Sequence, residues 1–327
     1  MANYLVTGAA GFIASQVVRQ LLDAGHQVVG LDNLNDAYDV RIKDYRLRNL
    51  QVLPGFVFHK VDISDFYELC SCLEPDGMRF DAIFNLAARA GVRQSVENPW
   101  AYVNTNMTGT LNMLELARRL AIPKFILAST SSIYGANAPL PTPETFDSDH
   151  PLQPYAATKK GAEALCHSYH YLNGLDITIL RYFTVYGPAG RPDMVMFRFC
   201  QWISEGKPLF LNGDGEQSRG FTYVDDIARG TILALKPVGF EIINLGGHDT
   251  ITINQLIRHF EKRLGRQAQV VNRPFHPADM LANQADVTRA KNILGWQPEV
   301  GLDEGITNLF NWYQAERAWA SQLETSE

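Results

Sequence analysis

A glycine-rich turn near the N-terminus constrains the fold of this chain more than any other feature. The segment Thr7-Gly8-Ala9-Ala10-Gly11-Phe12-Ile13-Ala14 follows a short apolar strand pattern and opens a helical pattern that runs to about residue 24. Gly8 permits a tight turn, Gly11 permits close approach of a diphosphate, and Ala14 takes a helix-packing position where alanine replaces glycine. Because the first amides of a helix hold phosphate groups, the segment predicts dinucleotide binding through Gly8, Gly11, Phe12 and Ile13.

Acidic residues end two further strand patterns. Asp32, followed by Asn33, ends the run from 27 to 31, where a carboxylate accepts hydrogen bonds from a ribose diol and repels a 2′-phosphate. This position favours NAD over NADP. Asp62 and Ile63 end another strand and are candidates to contact the adenine, although a plain β-turn explains them equally well.

Short apolar runs alternate with helical patterns through the first half of the chain. The predicted strands are 4–7, 27–31, 56–61, 82–86, 125–128 and 177–182, and the predicted helices are 11–24, 40–50, 67–73, 100–120, 155–172, 196–205, 225–235, 253–264 and 302–320. This order predicts an α/β fold with a Rossmann-type, doubly wound parallel sheet. We expect residues 1–182 to form this domain, 222–245 to return to it, and the rest of 183–327 to form a smaller mixed α/β substrate domain.

Composition excludes several classes of partner. The 327 residues carry 29 basic and 35 acidic side chains, a net charge of −6, so no basic excess is present to neutralise nucleic acid or an anionic membrane. The four cysteines lack C-x-x-C spacing, and no carboxylate or cysteine completes a metal site beside His167 and His170. No apolar run reaches eighteen residues. We therefore expect a soluble cytoplasmic protein with no metal, nucleic-acid or membrane partner.

Tyr155 and Lys159 lie four residues apart and share one face of a predicted helix. A phenol with a pKa of about 10 becomes a usable base at neutral pH when a cation such as this lysine stabilises the phenolate. Such pairs arise often by chance. However, the preceding run Ala128-Ser129-Thr130-Ser131-Ser132-Ile133-Tyr134-Gly135 ends a core strand at the sheet edge where open α/β folds bind ligands, which favours a catalytic interpretation.

Together these motifs resemble the extended short-chain dehydrogenases/reductases of the NAD-dependent sugar-nucleotide epimerase and dehydratase group. The resemblance runs from the N-terminus to about Trp296 and rests on TGAAGFIA, NLAA at 85–88, NTNMTGT at 104–110, STSSIYG, the Tyr155 and Lys159 pair, and RGFTYVDDI at 219–227. Three stretches resemble the UDP-glucuronate 4-epimerases within that group: DNLNDAYDVRIKDYRL at 32–47, AGVRQS at 90–95 and YFTVYGPAGRPDM at 182–194.

The resemblance implies a homodimer with tightly held NAD and a UDP-sugar in the cleft between two domains. It implies Tyr155 as the acid and base, Lys159 as its electrostatic partner, and Thr130 as a hydroxyl that contacts the reacting sugar. Arg191 would approach a hexose carboxylate and Arg219 the UDP phosphates. The further implied NAD contacts are Leu86, Ala87, Ala88 and Asn106, and the further implied substrate contacts are Arg93, Ser131, Ser132, Thr184 and Asp279.

The implied activity is 4-epimerisation of UDP-glucuronate to UDP-galacturonate through a 4-keto intermediate. Relatives that dehydrate sugars typically carry acidic residues after the threonine, whereas this chain has Ser131 and Ser132, which leaves elimination of water without its base. A UDP-glucuronate decarboxylase and a neutral UDP-hexose 4-epimerase stay open as alternatives. A non-catalytic dinucleotide sensor on the same fold is a further alternative, but such proteins commonly lose the tyrosine and lysine.

Besides Ala14, which stands where the group usually has glycine, two further sites depart from the group's pattern. Gly220 stands where relatives commonly carry aspartate, and His276-Pro277-Ala278-Asp279 replaces a glycine-containing motif. Both changes bear on phosphate contacts, and His276 is a candidate nucleotide contact or a solvent-facing loop residue. The apolar faces of helices 100–120 and 155–172 suit either a helix-bundle dimer or an internal core.

Overall fold

The structure, a computed structural model, describes residues 1–73, 79–247, 250–275 and 281–325. Its strands are β1 (Asn3–Thr7), β2 (Gln27–Asp32), β3 (Phe56–Lys60), β4 (Ala82–Asn85), β5 (Lys124–Thr130), β6 (Asp176–Tyr182), β7 (Thr184–Tyr186), β8 (Pro208–Asn212), β9 (Ser218–Tyr223), β10 (Phe240–Leu245), β11 (Thr250–Thr252), β12 (Gln269–Arg273) and β13 (Ala282–Asn283).

The α-helices lie on both sides of these strands. They are α1 (Phe12–Asp23), α2 (Arg41–Gln51), α3 (Phe66–Leu73), α4 (Val92–Glu97), α5 (Pro99–Tyr102), α6 (Gly109–Arg119), α7 (Pro154–Asn173), α8 (Val195–Glu205), α9 (Val224–Leu233), α10 (Ile253–Leu264), α11 (Thr288–Leu294), α12 (Leu302–Ala315) and α13 (Arg317–Ala320). A π-helix (Val103–Thr108) and a 3-10 helix (Ser131–Tyr134) complete the helical elements of the described ranges. Within those ranges no helix has the length and apolar character needed to cross a bilayer.

Seven parallel strands form the central sheet in the order β10-β6-β5-β4-β1-β2-β3. The order turns outward in both directions from β1 and β4, so the predicted doubly wound Rossmann-type sheet is confirmed. Helices cover both faces, and β4 and β5 are accordingly apolar on both sides. Ile83 and Phe125 point into one buried cluster, while Phe84 and Ile126 point into the other.

Within residues 222–245, strand β10 joins this sheet, while the first two residues belong to β9 of another sheet. Strand β10 lies parallel to β6, with Leu245 opposite Tyr182, and α9 packs on α1. A later segment also joins the same core, since Trp296 is fully buried there and its indole Nε1 donates to the Asp226 carbonyl at 2.8 Å. The core beside the parallel sheet therefore receives residues from the segment around Trp296 in addition to those of β10 and α9.

The rest of the chain forms a smaller region of short strands and helices with its own hydrophobic core. Strand β9 pairs in parallel with β7 and β13 and antiparallel with β11, while β8 and β12 form a separate parallel pair. Helices α8, α10 and α12 supply much of the buried cluster beneath them. The sequence predicted the helices of this region but missed its strands, because strands of two to six residues carry too little alternation to recognise. Helix α4 was missed as well, because six residues are too few to show a helical period.

Two predicted long helices are interrupted. Helix 100–120 consists of α5, the π-helix and α6, and the fully buried Asn106 lies within the π segment. The side-chain amide of Asn106 bonds both the N–H and the carbonyl of Arg89, a tertiary contact that no helical periodicity encodes. Helix 302–320 is divided into α12 and α13 at Glu316.

Candidate active site

A cleft of about 840 Å³ lies at the carboxyl ends of the parallel strands. Its walls come from the start of α1, the end of β5, the first turns of α7 and, on the opposite side, β8 and β9. A pocket of about 90 Å³ adjoins it along the ends of β2 and β4. Both cavities share the glycine turn, Tyr38, Leu86, Ala88 and Arg191, so they form one continuous groove.

The glycine turn is shaped for close approach of another group. Gly8 has φ +70°, and a Cβ built on it would lie 2.9 Å from the Ala87 backbone; one on Gly11 would lie 2.7 Å from the Gly8 carbonyl. Gly11 caps α1, and no described side chain caps the first amides of that helix. Uncapped amides at a helix N-terminus bind a diphosphate well.

The adjoining pocket carries the polar groups expected for an adenosine. Asp32 accepts the N–H of Ala10 at 3.1 Å on one oxygen and that of Leu34 at 2.8 Å on the other, which leaves lone pairs on both oxygens for a ribose diol. Asn33 donates to Asp62 at 2.7 Å. Burial alone would raise the pKa of Asp62, but hydrogen bonds from the Ser64 N–H and Asn33 lower it. These residues fit NAD, with an acid where NADP would carry its phosphate.

Tyr155 and Thr130 meet where β5 ends and α7 begins. Both residues line the cleft. Burial raises the pKa of the Tyr155 phenol, while the Thr130 hydrogen bond and the positive charge of Arg191 lower it. The phenol is thus protonated at rest and lies beside two groups that stabilise its ionised form.

Lys159, predicted from the sequence as the electrostatic partner of Tyr155, lines the same cleft and is only 2% exposed. Thr130 and Arg191 are the groups that lower the pKa of Tyr155. Lys159 lies near Glu163, one turn further along α7. Burial lowers the pKa of Lys159 to about 8, and the negative charge of Glu163 opposes that shift.

Glu163 is held in a buried hydrogen-bond network. It accepts from the Ser129 hydroxyl at 2.6 Å and from Arg181 at 3.0 and 2.7 Å. The side chains of Arg181 and Glu163 are 2% and 4% exposed, so their charges compensate each other out of water. Sequence reasoning missed both residues, although the four-residue step from Lys159 to Glu163 is a signal that helix periodicity offers.

The predicted substrate residues converge on the wider part of the cleft. Those lining it are Arg93, Thr130, Ser131, Ser132, Thr184, Arg191 and Arg219. Ser131 accepts from the Asn283 amide at 3.1 Å, and the Ser132 N–H donates to Thr130 at 3.2 Å. Asp279 and His276 lie outside the described residues.

The predicted cofactor residues also converge, with one exception. Gly8, Gly11, Phe12, Ile13, Leu86, Ala88 and Lys159 line the wider part, while Asp32, Asn33, Asp62, Ile63 and Ala87 line the adjoining pocket. Asn106 lines neither cavity. Its side-chain amide bonds the N–H and the carbonyl of Arg89 and donates to the Thr158 hydroxyl at 3.0 Å. In this structure Asn106 therefore supports the segments behind the groove.

We predict that Lys159 titrates near pH 8 rather than near 10.5. The positive form is present below that pH and lost above it, because burial disfavours the ammonium. In protein with ¹³Cε-labelled lysine, one NMR resonance should shift with a midpoint near pH 8 and be missing from a Lys159→Met variant. Glu163→Gln should move the midpoint lower. A spectrum in which every lysine titrates above pH 10 contradicts this.

Comparisons with known proteins agree with this groove. Residues 4–246 match the family described as NAD dependent epimerase/dehydratase. The UDP-glucuronate 4-epimerase of Thermodesulfobacterium geofontis is 53% identical over 95% of this chain and 96% of its own length.

Two solved structures show the same arrangement of the chain. The UDP-glucuronic acid 4-epimerase of Bacillus cereus, solved with UDP-glucuronic acid and NAD, is 36% identical with a TM-score of 0.88 over 96% of this chain and 99% of that one. The UDP-glucose 4-epimerase of Thermotoga maritima, with UDP-glucose, is 33% identical with a TM-score of 0.87 over the same shares. This chain belongs to the NAD dependent epimerase/dehydratase family.

Proposed function

We propose that this protein is an NAD-dependent 4-epimerase that interconverts UDP-glucuronate and UDP-galacturonate through a 4-keto intermediate. One observation carries the proposal: the Tyr155 phenol shares its cleft with the hydroxyl of Thr130 and the guanidinium of Arg191. The first group is suited to proton transfer at a sugar hydroxyl and the second to a uronate carboxylate. The 53% identity to a protein named UDP-glucuronate 4-epimerase supports the same substrate.

In this proposal Tyr155 moves the proton of the sugar 4-hydroxyl. Bound NAD supplies the acceptor and donor of hydride at carbon 4. Thr130 and Arg191 favour the ionised form of the Tyr155 phenol. In this proposal Thr130 also orients the 4-hydroxyl of the sugar, which loses its proton to Tyr155. Lys159 holds a second positive charge in the cleft at pH values below about 8. Return of hydrogen to the opposite face of the sugar inverts carbon 4 without net redox change.

A uronate adds a second requirement, because its 4-keto form is a β-keto acid that loses carbon dioxide readily. We propose that Arg191 holds the carboxylate away from the orientation that favours this loss, with help from the hydroxyl groups of Ser131 and Ser132. Those serines follow Thr130 directly, so this position offers no carboxylate base for elimination of water. The arrangement favours epimerisation over dehydration.

The remaining contacts follow the shape of the cleft. Arg219, on β9, Arg93, on α4, and Thr184, on β7, line the cleft and are proposed to bind the UDP phosphates and the sugar. A phosphorylated substrate retained by the cell suits a protein of the cytoplasm, which is the location we propose.

We also propose a homodimer that forms through the helices beside the sheet. Trp100, Val103 and Leu111 are exposed by 80%, 42% and 37%, and their spacing places them along one side of the α5, π-helix and α6 segment. An apolar stripe of this kind is typical of a helix-packing interface. Resemblance to the homodimeric group supports the same assembly.

Purified protein with NAD and UDP-glucuronate should produce UDP-galacturonate, detected by ¹H NMR of the mixture. Tyr155→Phe removes the group that carries the proton, so turnover should fall by about 10²–10⁴-fold while calorimetry shows unchanged binding of UDP-glucuronate.

Three results would change the assignment. A pentose product with carbon dioxide identifies a decarboxylase, and turnover of UDP-glucose but not the uronate identifies a neutral hexose epimerase. Full activity in the Tyr155→Phe variant refutes the role of the phenol.

Arg191→Met should raise the fraction of substrate lost as carbon dioxide and weaken UDP-glucuronate binding by about tenfold or more, the effect of losing a charge-assisted hydrogen bond. Trapped ¹³CO₂ from substrate labelled at carbon 6 measures the loss. Arg41→Met, which breaks the pair of Arg41 with Asp39 outside the cleft, is the control. An unchanged product ratio in a folded Arg191→Met variant counts against the carboxylate contact.

Trp100→Glu should convert the dimer to a monomer in sedimentation velocity, because a charge at an apolar interface lacks a partner. Tyr67→Glu places the same charge at an equally exposed aromatic residue on α3 and should leave the mass unchanged. A wild-type protein that sediments as a monomer at micromolar concentration refutes the dimer.

A further inference from the structure

The three stretches that resemble UDP-glucuronate 4-epimerases are far apart in sequence but meet at one guanidinium. Arg191 and Asp193 belong to the stretch 182–194, Tyr38 to the stretch 32–47 and Ala90 to the stretch 90–95. All three approach the Arg191 side chain. No spacing in the sequence predicts this convergence, which only the folded chain reveals.

Each contact restrains a different part of the guanidinium. Asp193 accepts Nε–H at 3.0 Å and Nη2–H at 2.5 Å, a forked pair along one edge. The Ala90 carbonyl accepts from Nη2 at 3.5 Å. The Tyr38 ring centroid lies 5.4 Å from Cζ, within the range of a cation–π contact.

These contacts leave one end of the arginine open. A guanidinium has five N–H donors, of which Asp193 and Ala90 use three. No described protein atom accepts from Nη1. The remaining two donors lie at one nitrogen of a side chain that faces the cleft.

Tyr38 is itself fixed by a second buried arginine. Arg46 donates from Nη1 to the Tyr38 hydroxyl at 2.9 Å and to the Ala10 carbonyl in the glycine turn at 3.1 Å. It also donates to the Ala189 carbonyl at 2.9 and 2.7 Å, two residues before Arg191. The segment around Tyr38 is thereby tied both to the glycine turn and to the loop that carries Arg191.

The Ala90 carbonyl is connected to the catalytic tyrosine. It also accepts from the Tyr102 hydroxyl at 3.4 Å, and the Tyr102 ring packs edge-on against Tyr155 with centroids 6.1 Å apart. The position of the arginine and that of the phenol therefore depend on the same backbone group.

We propose that Tyr38, the Ala90 carbonyl and Asp193 form a cradle that fixes the plane of the Arg191 guanidinium and offers only Nη1 to a sugar carboxylate. Asp193 and Tyr38 are then positioning residues that control whether the bound uronate keeps its carboxylate. This inference rests on the proposed function.

The chemistry of carbon dioxide loss explains why a fixed plane matters. The C5–C6 bond breaks, its electron pair passes into the 4-keto group to give an enolate, carbon dioxide leaves and C5 then takes a proton. The bond must stand perpendicular to the carbonyl plane for that electron pair to overlap with the carbonyl π-system. A carboxylate held at one nitrogen of an immobile arginine is kept from that orientation.

Asp193→Asn tests the cradle because it keeps the shape of the side chain and removes its charge and one acceptor. The ratio of carbon dioxide to epimer should rise by about tenfold, the factor expected when a charge-assisted hydrogen bond is lost. Asp39→Asn is the matched control, since Asp39 forms the same forked pair with Arg41 outside the cleft. Its product ratio should equal that of the wild type.

A folded Asp193→Asn protein with the wild-type product ratio overturns the inference. If circular dichroism shows that this variant is unfolded, the same ratio of carbon dioxide to epimer is measured for Tyr38→Leu, which removes the aromatic ring beside Arg191. A wild-type ratio in that variant likewise overturns the inference. Failure of the proposed function is a different result, because it shows in the wild-type products. Failure of the cradle shows only in a variant of an active epimerase.

Discussion

A buried phenol ionises only where positive charge is held beside it, and this requirement shapes the whole cleft. Burial opposes ionisation of Tyr155, whereas Arg191 and Thr130 favour it. Lys159 and Arg191 both line the cleft, and each lies near a carboxylate, Glu163 or Asp193. The carboxylates limit the cost of burying the cations.

The parallel sheet provides the rigid frame for these charges. Ser129 and Arg181 lie opposite each other on β5 and β6, and Glu163 on α7 bonds both. One carboxylate thus attaches the helix to two adjacent strands. Because Thr130 follows Ser129 and Tyr155 lies on the same helix, this attachment also sets the distance between the two hydroxyl groups that meet in the cleft.

The sequence predicts the parts of the molecule that depend on local pattern. Six of the seven parallel strands and helix α7 were predicted because buried strands are continuously apolar and helices repeat every 3.6 residues. Short strands such as β13 and the π-helix around Asn106 depend on tertiary hydrogen bonds, so no local pattern reveals them. The positive charge of Arg191, 36 residues from Tyr155, lowers the pKa of the phenol, and no local pattern around Tyr155 indicates that influence.

The dependence on tertiary contacts also explains why the three stretches 32–47, 90–95 and 182–194 lie far apart in the sequence. Two side chains on one helix face, such as Tyr155 and Lys159, are brought together by four-residue spacing. Control of a carboxylate needs a guanidinium restrained on its face and along its edges, and one segment cannot approach it from every side. Tyr38 and Ala90 come from loops after β2 and β4 of the parallel sheet, and Asp193 comes from the loop between β7 and α8. The three contacts to Arg191 therefore depend on the folded chain and on no single segment of the sequence.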